Sequence, residues 1–389
     1  MHDPEYYVEE QLALSPIAFF IASQLDGLNE VTDIQYLLFQ QTGGRVASED
    51  QIREVVAHLD EHGFLESPRF EAISRGVRDS FAAGKTRPAF LAGKSYPDNV
   101  NDLRTFLDAM FTEPDGPGPV RREEIVSEKG VRCLIAPHID FARGGSAYAH
   151  AYARLARGRK PETAIIFGVS HAGAPVPFVL CRKGYETPFG TLDVDTEAVD
   201  ALAAACAWDP FEHEIIHRTE HSIEFQSVML AYLYGSGVKI VPILCGGISE
   251  GREPVTDMSA FPEVAAFLDA CRSVMRFSNG GTCVLAGVDL AHVGRRFGDA
   301  FDIDDAAIDA VKVRDVEDLE RVLEVDADGW YASVMKDMNQ RRVCGLNAIY
   351  AALKTLDGAA DRGEFLKYGY APDPAGGIVS FAGIAFPEK

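Results

Sequence analysis

Three apolar runs in this chain end on side chains able to bind a metal or move a proton. VRCLIA (131–136) runs into Pro137, His138, Ile139 and Asp140. TAIIFGV (163–169) runs into Ser170 and His171, and TCVLAGV (282–288) into Asp289, Leu290, Ala291 and His292. One histidine at a strand end is an ordinary hydrogen-bonded residue. Three strand ends carrying one are hard to obtain from packing alone. In open α/β sheets, ligands bind beyond the carboxyl ends of the strands. If these strands are neighbours, His138, His171, Asp289 and His292 converge on one crevice. Two further segments can join them. EHSIEFQ (220–226) puts His221 and Glu224 about one turn apart on one helix face. RRVCGLNAIY (341–350) places Cys344 just before an apolar helix, whose N-terminus would lower the thiol pKa.

This donor set suits a metal ion. Imidazole serves zinc, copper, iron and nickel; two His and a carboxylate with open positions suit non-haem iron(II), and a thiolate shifts preference toward copper(I) or zinc. Carboxylates are also needed to fix the imidazole tautomers, and Asp140, Asp289 and Glu224 are the candidates. A competing motif is HEIIH (213–217), which matches the H-E-x-x-H metalloprotease pattern. Pro210 just upstream and the RTEHS that follows argue against a zinc helix there, and the stretch reads as a His-rich surface loop.

The elements that must position these residues are legible from periodicity. The strands named above, with KIVPIL (239–244), are short, apolar and β-branched, and helical patterns such as GSAYAHAYARLARG and TEAVDALAAACA lie between them. Near-continuous apolar strands between helices imply an α/β fold, with a largely parallel sheet covered on both faces. GGIVSFAGIAF (376–386) reads as a late strand or hairpin, and EPDGPGPV (113–120) as a surface loop. Residues 1–67 read as a separate helical module. In its third helix Ser48 and Gln51 form a capping box, and Ile52, Val55, Val56 and Leu59 share one face. Gly63 stops this helix and Phe64-Leu65 starts something extended, the outline of a winged helix. Residues 68–86 read as a linker, and 87–389 as the main domain.

Charge narrows the function. The 389 residues carry a net charge of −22, which repels phosphate backbones and anionic membranes. Residues 1–67 hold thirteen Asp and Glu against two Arg, so that module suits a protein-docking or capping role rather than DNA. No apolar run approaches the ~20 residues that span a bilayer. The acidic start MHDPEYYVEE is unlike a signal peptide, so a cytoplasmic location is expected. The seven scattered cysteines, with no CxxC, read as reduced thiols.

Several segments together resemble the Memo family, whose bacterial members are called AmmeMemoRadiSam system protein B. They are RPAFLAGKSYP (87–97), APHIDFARGGSAYAHAY (136–152), FGVSHAG (167–173), TPFGTLDVD (187–195), EHSIEFQ, VPILCGG (241–247), GVDLAHVGRRFGD (287–299) and CGLNAIYAAL (344–353). The resemblance covers residues 87–389 and implies a fold similar to class III extradiol dioxygenases. It implies one metal ion, iron(II) or copper with zinc as an alternative, held by His138, His171 and Cys344. Asp289, His292 and His221 would line the same pocket, with His292 in acid–base chemistry, and a radical SAM protein is the implied partner. Two departures stand out. The family's APHAGY is APHIDF here, which adds Asp140, and Cys344-Gly345 runs directly into LNAIY without the family's Pro-containing turn. The expectation is a mononuclear metal-binding redox protein, oxidase- or dioxygenase-like, acting on a small molecule. Its rivals are a zinc hydrolase using the same pocket and a non-enzymatic adaptor docking partners through the N-terminal module.

Overall fold

The computed structural model describes residues 1–44, 46–120, 128–247, 261–277 and 281–389. The chain divides into two compact units, Met1–Gly84 and Lys85–Lys389. Among the described residues no helix is long and apolar enough to cross a membrane.

The first unit is helical: α1 (Pro16–Ser23), α2 (Val31–Thr42), α3 (Glu49–Glu61) and α4 (Pro68–Ala83). The capping box at α3 forms as expected, with the Ser48 side chain accepting from Gln51 N–H and Gln51 answering on the Ser48 backbone. Ile52 and Leu59 are buried from its apolar face. Two expectations are corrected. Residues 68–83, read as a linker, form the capped helix α4, with Ser67 accepting from Phe70 N–H and Pro68 in the first turn. Phe64-Leu65 is not a strand. No strand stands among the described residues of this unit, so the wing of a winged helix is missing there.

The second unit carries an eight-stranded sheet in the order β10-β11-β2-β8-β3-β7-β4, with β9 paired to β11. The strands are β2 (Val131–Ala136), β3 (Thr163–Val169), β4 (Phe178–Leu180), β7 (Lys239–Cys245), β8 (Thr282–Gly287), β9 (His292–Gly294), β10 (Glu364–Asp373) and β11 (Gly377–Pro387). The middle four, β2, β8, β3 and β7, are mutually parallel; β4, β9, β10 and β11 pair antiparallel. A second small sheet joins β1 (Thr86–Arg87), β5 (Gly184–Thr187) and β6 (Gly190–Leu192).

Both faces of the large sheet are covered. Alternate residues of one strand enter different cores: Cys133 and Ile135 pack in one, Leu134 and Ala136 in the other. One core includes residues of α9 (Pro262–Phe277), α10 (Asp305–Leu323), α11 (Ala327–Met335) and α12 (Leu346–Leu356), with α7 (Thr196–Ala203). The other takes α5 (Val100–Thr112), α6 (Phe141–Arg157) and α8 (His221–Tyr234). Double coverage explains why the central strands are apolar without alternation. Helix α8 lies against β3 and β8 on one side and β5 and β6 on the other. It is buried from Ser222 to Leu233, so its polar residues Glu224 and Gln226 must find partners inside the protein.

Candidate metal centre

The order β2-β8-β3 makes the three strands that end in polar residues immediate neighbours. Their carboxyl ends therefore deliver His138, Asp289 and His171 to one rim. His138 leaves β2 fully buried, and its Nδ1 lies 3.0 Å from the Gly287 carbonyl at the end of β8. A carbonyl only accepts, so Nδ1 carries the proton and Nε2 keeps its lone pair. That Nε2 is 3.4 Å from Cys344 Sγ. His171 Nδ1 lies 3.0 and 3.1 Å from the two Glu220 carboxylate oxygens, which likewise directs Nε2 away from that bond. The ligating atoms of His138, His171 and Cys344 all lie within 4.8 Å of one another. His221, first residue of α8, stacks on His171 with ring centroids 4.5 Å apart and sits 5.0 Å from the His138 ring.

Close backbone approach makes this possible. A Cβ on Gly287 would stand 2.4 Å from the Ser222 carbonyl oxygen and 2.8 Å from Gln226 Nε2. One on Gly345 would stand 2.7 Å from the Asp289 carbonyl oxygen. Glycine at these positions lets β8, the N-terminus of α8 and the turn before α12 crowd the same rim. Beneath it Gln226 Nε2 donates to the Pro137 carbonyl at 2.7 Å, and the Tyr152 hydroxyl donates to Gln226 Oε1.

The electrostatics follow from burial and from Glu220. Burial, reinforced by His171 and His221, holds His138 well below the usual imidazole range. Burial likewise brings His221 down to about 4, against the pull of Glu220. For His171 burial opposes protonation, but the Glu220 carboxylate outweighs it and raises the pKa. For Glu220 burial opposes ionisation, and the His171 and His221 imidazoles with the His171 backbone N–H hold its pKa well below the usual range. Asp289 accepts from the backbone N–H groups of His138 and Ile139 at 3.1 and 3.2 Å. Burial nevertheless pushes it up to about 7. His292 Nδ1 lies 3.1 Å from both the Leu290 and Arg342 carbonyls, and burial lowers its pKa. It is thus a neutral imidazole with Nε2 as its acceptor.

Four sequence expectations change. Cys344 is not a helix-activated thiolate: burial, then Asp289, pushes the thiol well above its ordinary value. Asp140 does not orient an imidazole; it caps α6 by accepting from Arg143 N–H and pairs with the Arg143 side chain. Glu224 is turned away into an inner cluster, where it accepts from the Arg87 guanidinium, the Leu91 backbone and the Tyr96 hydroxyl. Within HEIIH, Glu214 accepts from the Arg182 backbone N–H, and His217 is buried with both ring nitrogens engaged, by Tyr185 Oη at 2.8 Å and the Val179 carbonyl at 3.0 Å. That histidine has no lone pair left for zinc, so HEIIH is no zinc helix, as expected, but it is not a surface loop either: His217 is fully buried and residues 214–218 form a 3-10 turn.

The sequence reading missed Glu220. Its carboxylate caps α8 by accepting from His221 and Ser222 N–H, accepts from His171 N–H at 2.9 Å, and orients the His171 ring. A Glu directly before an apolar helical run was the available signal, since a capping carboxylate must sit at the rim where that helix begins.

Comparison with known proteins gives the family. The sequence model for Memo-like protein matches residues 87–385. The chain belongs to the Memo-like family. A MEMO1 family protein of Aquifex aeolicus is 28% identical over 382 residues, spanning 97% of this chain and 93% of that protein. Relatives from Methanococcoides burtonii and Desulfurococcus amylolyticus are 30% and 28% identical, across 77% and 78% of this chain and 98% and 99% of their own lengths. The match to the Aquifex protein thus extends into the helical unit, whereas the two archaeal proteins consist almost wholly of the length they share with this chain. The Memo-like domain here carries its rim histidines just beyond β2 and β3 and at the first residue of α8.

Proposed function

We propose that this Memo-like protein is a mononuclear metal-binding redox protein, oxidase- or dioxygenase-like, with iron(II) or copper held by His138 Nε2, His171 Nε2 and Cys344 Sγ. The observation that carries this reading is the convergence of one ligating atom from each of these three residues within 4.8 Å. Both imidazoles are tied at Nδ1, by a carbonyl and by a carboxylate. The donors fit such an ion: two imidazole nitrogens and a thiol, whose protons a cation can displace. An ion of this kind supplies one-electron chemistry and open positions for a small ligand. Around it, the chain's own groups have separate tasks. His292, with Nδ1 fixed by two carbonyls, presents Nε2 to accept or return a proton. Asp289, near pH 7 in its titration, can hold a proton or release one beside His138. His221 lines the same rim as a neutral imidazole.

The doubly covered sheet with its site beyond the strand ends supports kinship with class III extradiol dioxygenases. The acidic helical unit supports a protein-docking role; a radical SAM protein as its partner, in the cytoplasm, completes the proposal. The deciding experiment is elemental analysis of anaerobically purified protein beside a His138→Ala/His171→Ala variant. One equivalent of iron or copper in the first and none in the folded second is the expected result. Stoichiometric, redox-silent zinc together with ester or amide cleavage would replace this reading by a hydrolase.

A further inference from the structure

We propose that His58, Glu61 and His62 form a second metal site, wholly within the N-terminal unit, and that zinc(II) is the ion its donors suit. The sequence of the last turns of α3 is HLDEH. Residues four apart lie one above the other on a helix, and the His58 and His62 rings have centroids 4.6 Å apart. The ligating atoms of His58, Glu61 and His62 all lie within 4.8 Å of one another.

Three further observations favour a cation here. His62 ends α3 as its C-cap, so the pair occupies the last turn, where the helix dipole presents its negative end. The module around it is strongly acidic, with thirteen Asp and Glu against two Arg in residues 1–67. The Glu10 carboxylate, from the arm ahead of α1, lies 2.9 Å from His62 Nδ1. A carboxylate on one imidazole nitrogen fixes the tautomer and leaves the other nitrogen to face a cation, the arrangement that orients histidine ligands in metal sites.

Two imidazoles and a carboxylate, with a position left to water, are a zinc-type set without a thiol. This distinguishes the site from the rim centre, which contains Cys344. His58 and Glu61 are exposed and His62 half-buried, so the ion exchanges freely with solvent. Through Glu10 a bound ion also ties the N-terminal arm to α3.

Full-length, metal-free protein titrated with zinc chloride in equilibrium dialysis tests this. Wild type binds two equivalents, and His58→Gln/His62→Gln binds one fewer. His138→Ala/His171→Ala keeps the equivalent that the first variant loses. Glu10→Gln weakens that equivalent by about tenfold or more, the scale at which outer carboxylates tune histidine ligands. Cobalt(II) separates the sites by colour: the sulfur-to-metal band persists in the α3 variant and is absent from the rim variant. Zinc binding by His58→Gln/His62→Gln equal to wild type overturns the proposal. Because each double variant removes a different equivalent, failure here is distinct from failure of the rim centre.

Discussion

Glu220 holds His171 at two points, accepting from its backbone N–H at 2.9 Å and lying 3.0 Å from its Nδ1. The same carboxylate caps α8. A single side chain thus couples the start of a buried helix to the orientation of a candidate ligand. Glu220→Gln should retain one acceptor and the fold, at a cost of about 1 kcal/mol for the weakened cap. It should lower metal affinity by about 10–100-fold, as loss of an orienting carboxylate does. Chelator competition measures this, and an unchanged affinity would remove Glu220 from the centre.

The ion pair of Arg87 with Glu224 is fully buried. Arg87 also donates to the His217 and Glu220 carbonyls, at 2.9 and 2.8 Å, so it braces the chain that leads into α8. Removing one partner strands the other charge in the interior, which costs about 3–5 kcal/mol. Arg87→Met should therefore unfold at markedly lower urea concentration, and Arg87→Met/Glu224→Leu should recover part of the loss. A single variant with the wild-type midpoint would show that the charge is solvated by other means.

Gly287→Ala tests the close approach under His138. The added Cβ meets the Ser222 carbonyl, which belongs to a buried helix and cannot swing aside. A loss of about 1–3 kcal/mol is expected from overpacking, together with weaker metal binding, because the Gly287 carbonyl is the acceptor for His138 Nδ1. Thermal melts and metal titration of the same variant check both. Unaltered metal binding in a destabilised variant would confine the role of Gly287 to packing.

His217, which is not among the candidate ligands, sets a pH dependence of its own. Burial brings its folded pKa down to about 3, against about 6.5 in an unfolded chain. Between these values the unfolded state binds a proton that the folded state does not. Stability is therefore fully present above about pH 6.5 and is lost as pH falls toward 3, by on the order of 1 kcal/mol per pH unit. His217→Gln can still donate to Val179 and accept from Tyr185, and should show a shallower acid slope. Equal slopes of urea midpoint against pH would assign the acid sensitivity to other groups.

How much of this was legible beforehand varies with the range of the interaction involved. Hydrophobic runs marked β2, β3, β7 and β8 almost to the residue, because a strand covered on both faces must be apolar throughout. The capping box of α3 and the cap of α6 are interactions within four residues, so they too can be read along the chain, although Asp140 proved to be a cap rather than a partner of the centre. Three polar strand ends identified His138, His171 and Asp289. What no local pattern contains is which strands stand side by side. The order β2-β8-β3 turns three separate endings into one rim, and it depends on how two layers of helices fill both faces of the sheet. The same long-range packing turned Glu224 inward to Arg87 and Glu220 outward to His171, though both stand in one short segment. It also buried His217 against Tyr185 and raised the Cys344 thiol by enclosing it. The sequence by itself determined which segments are strands and which residues can donate to a cation. Only the tertiary structure decided which of them share a site and in what state of charge, because burial and neighbours from distant segments set both.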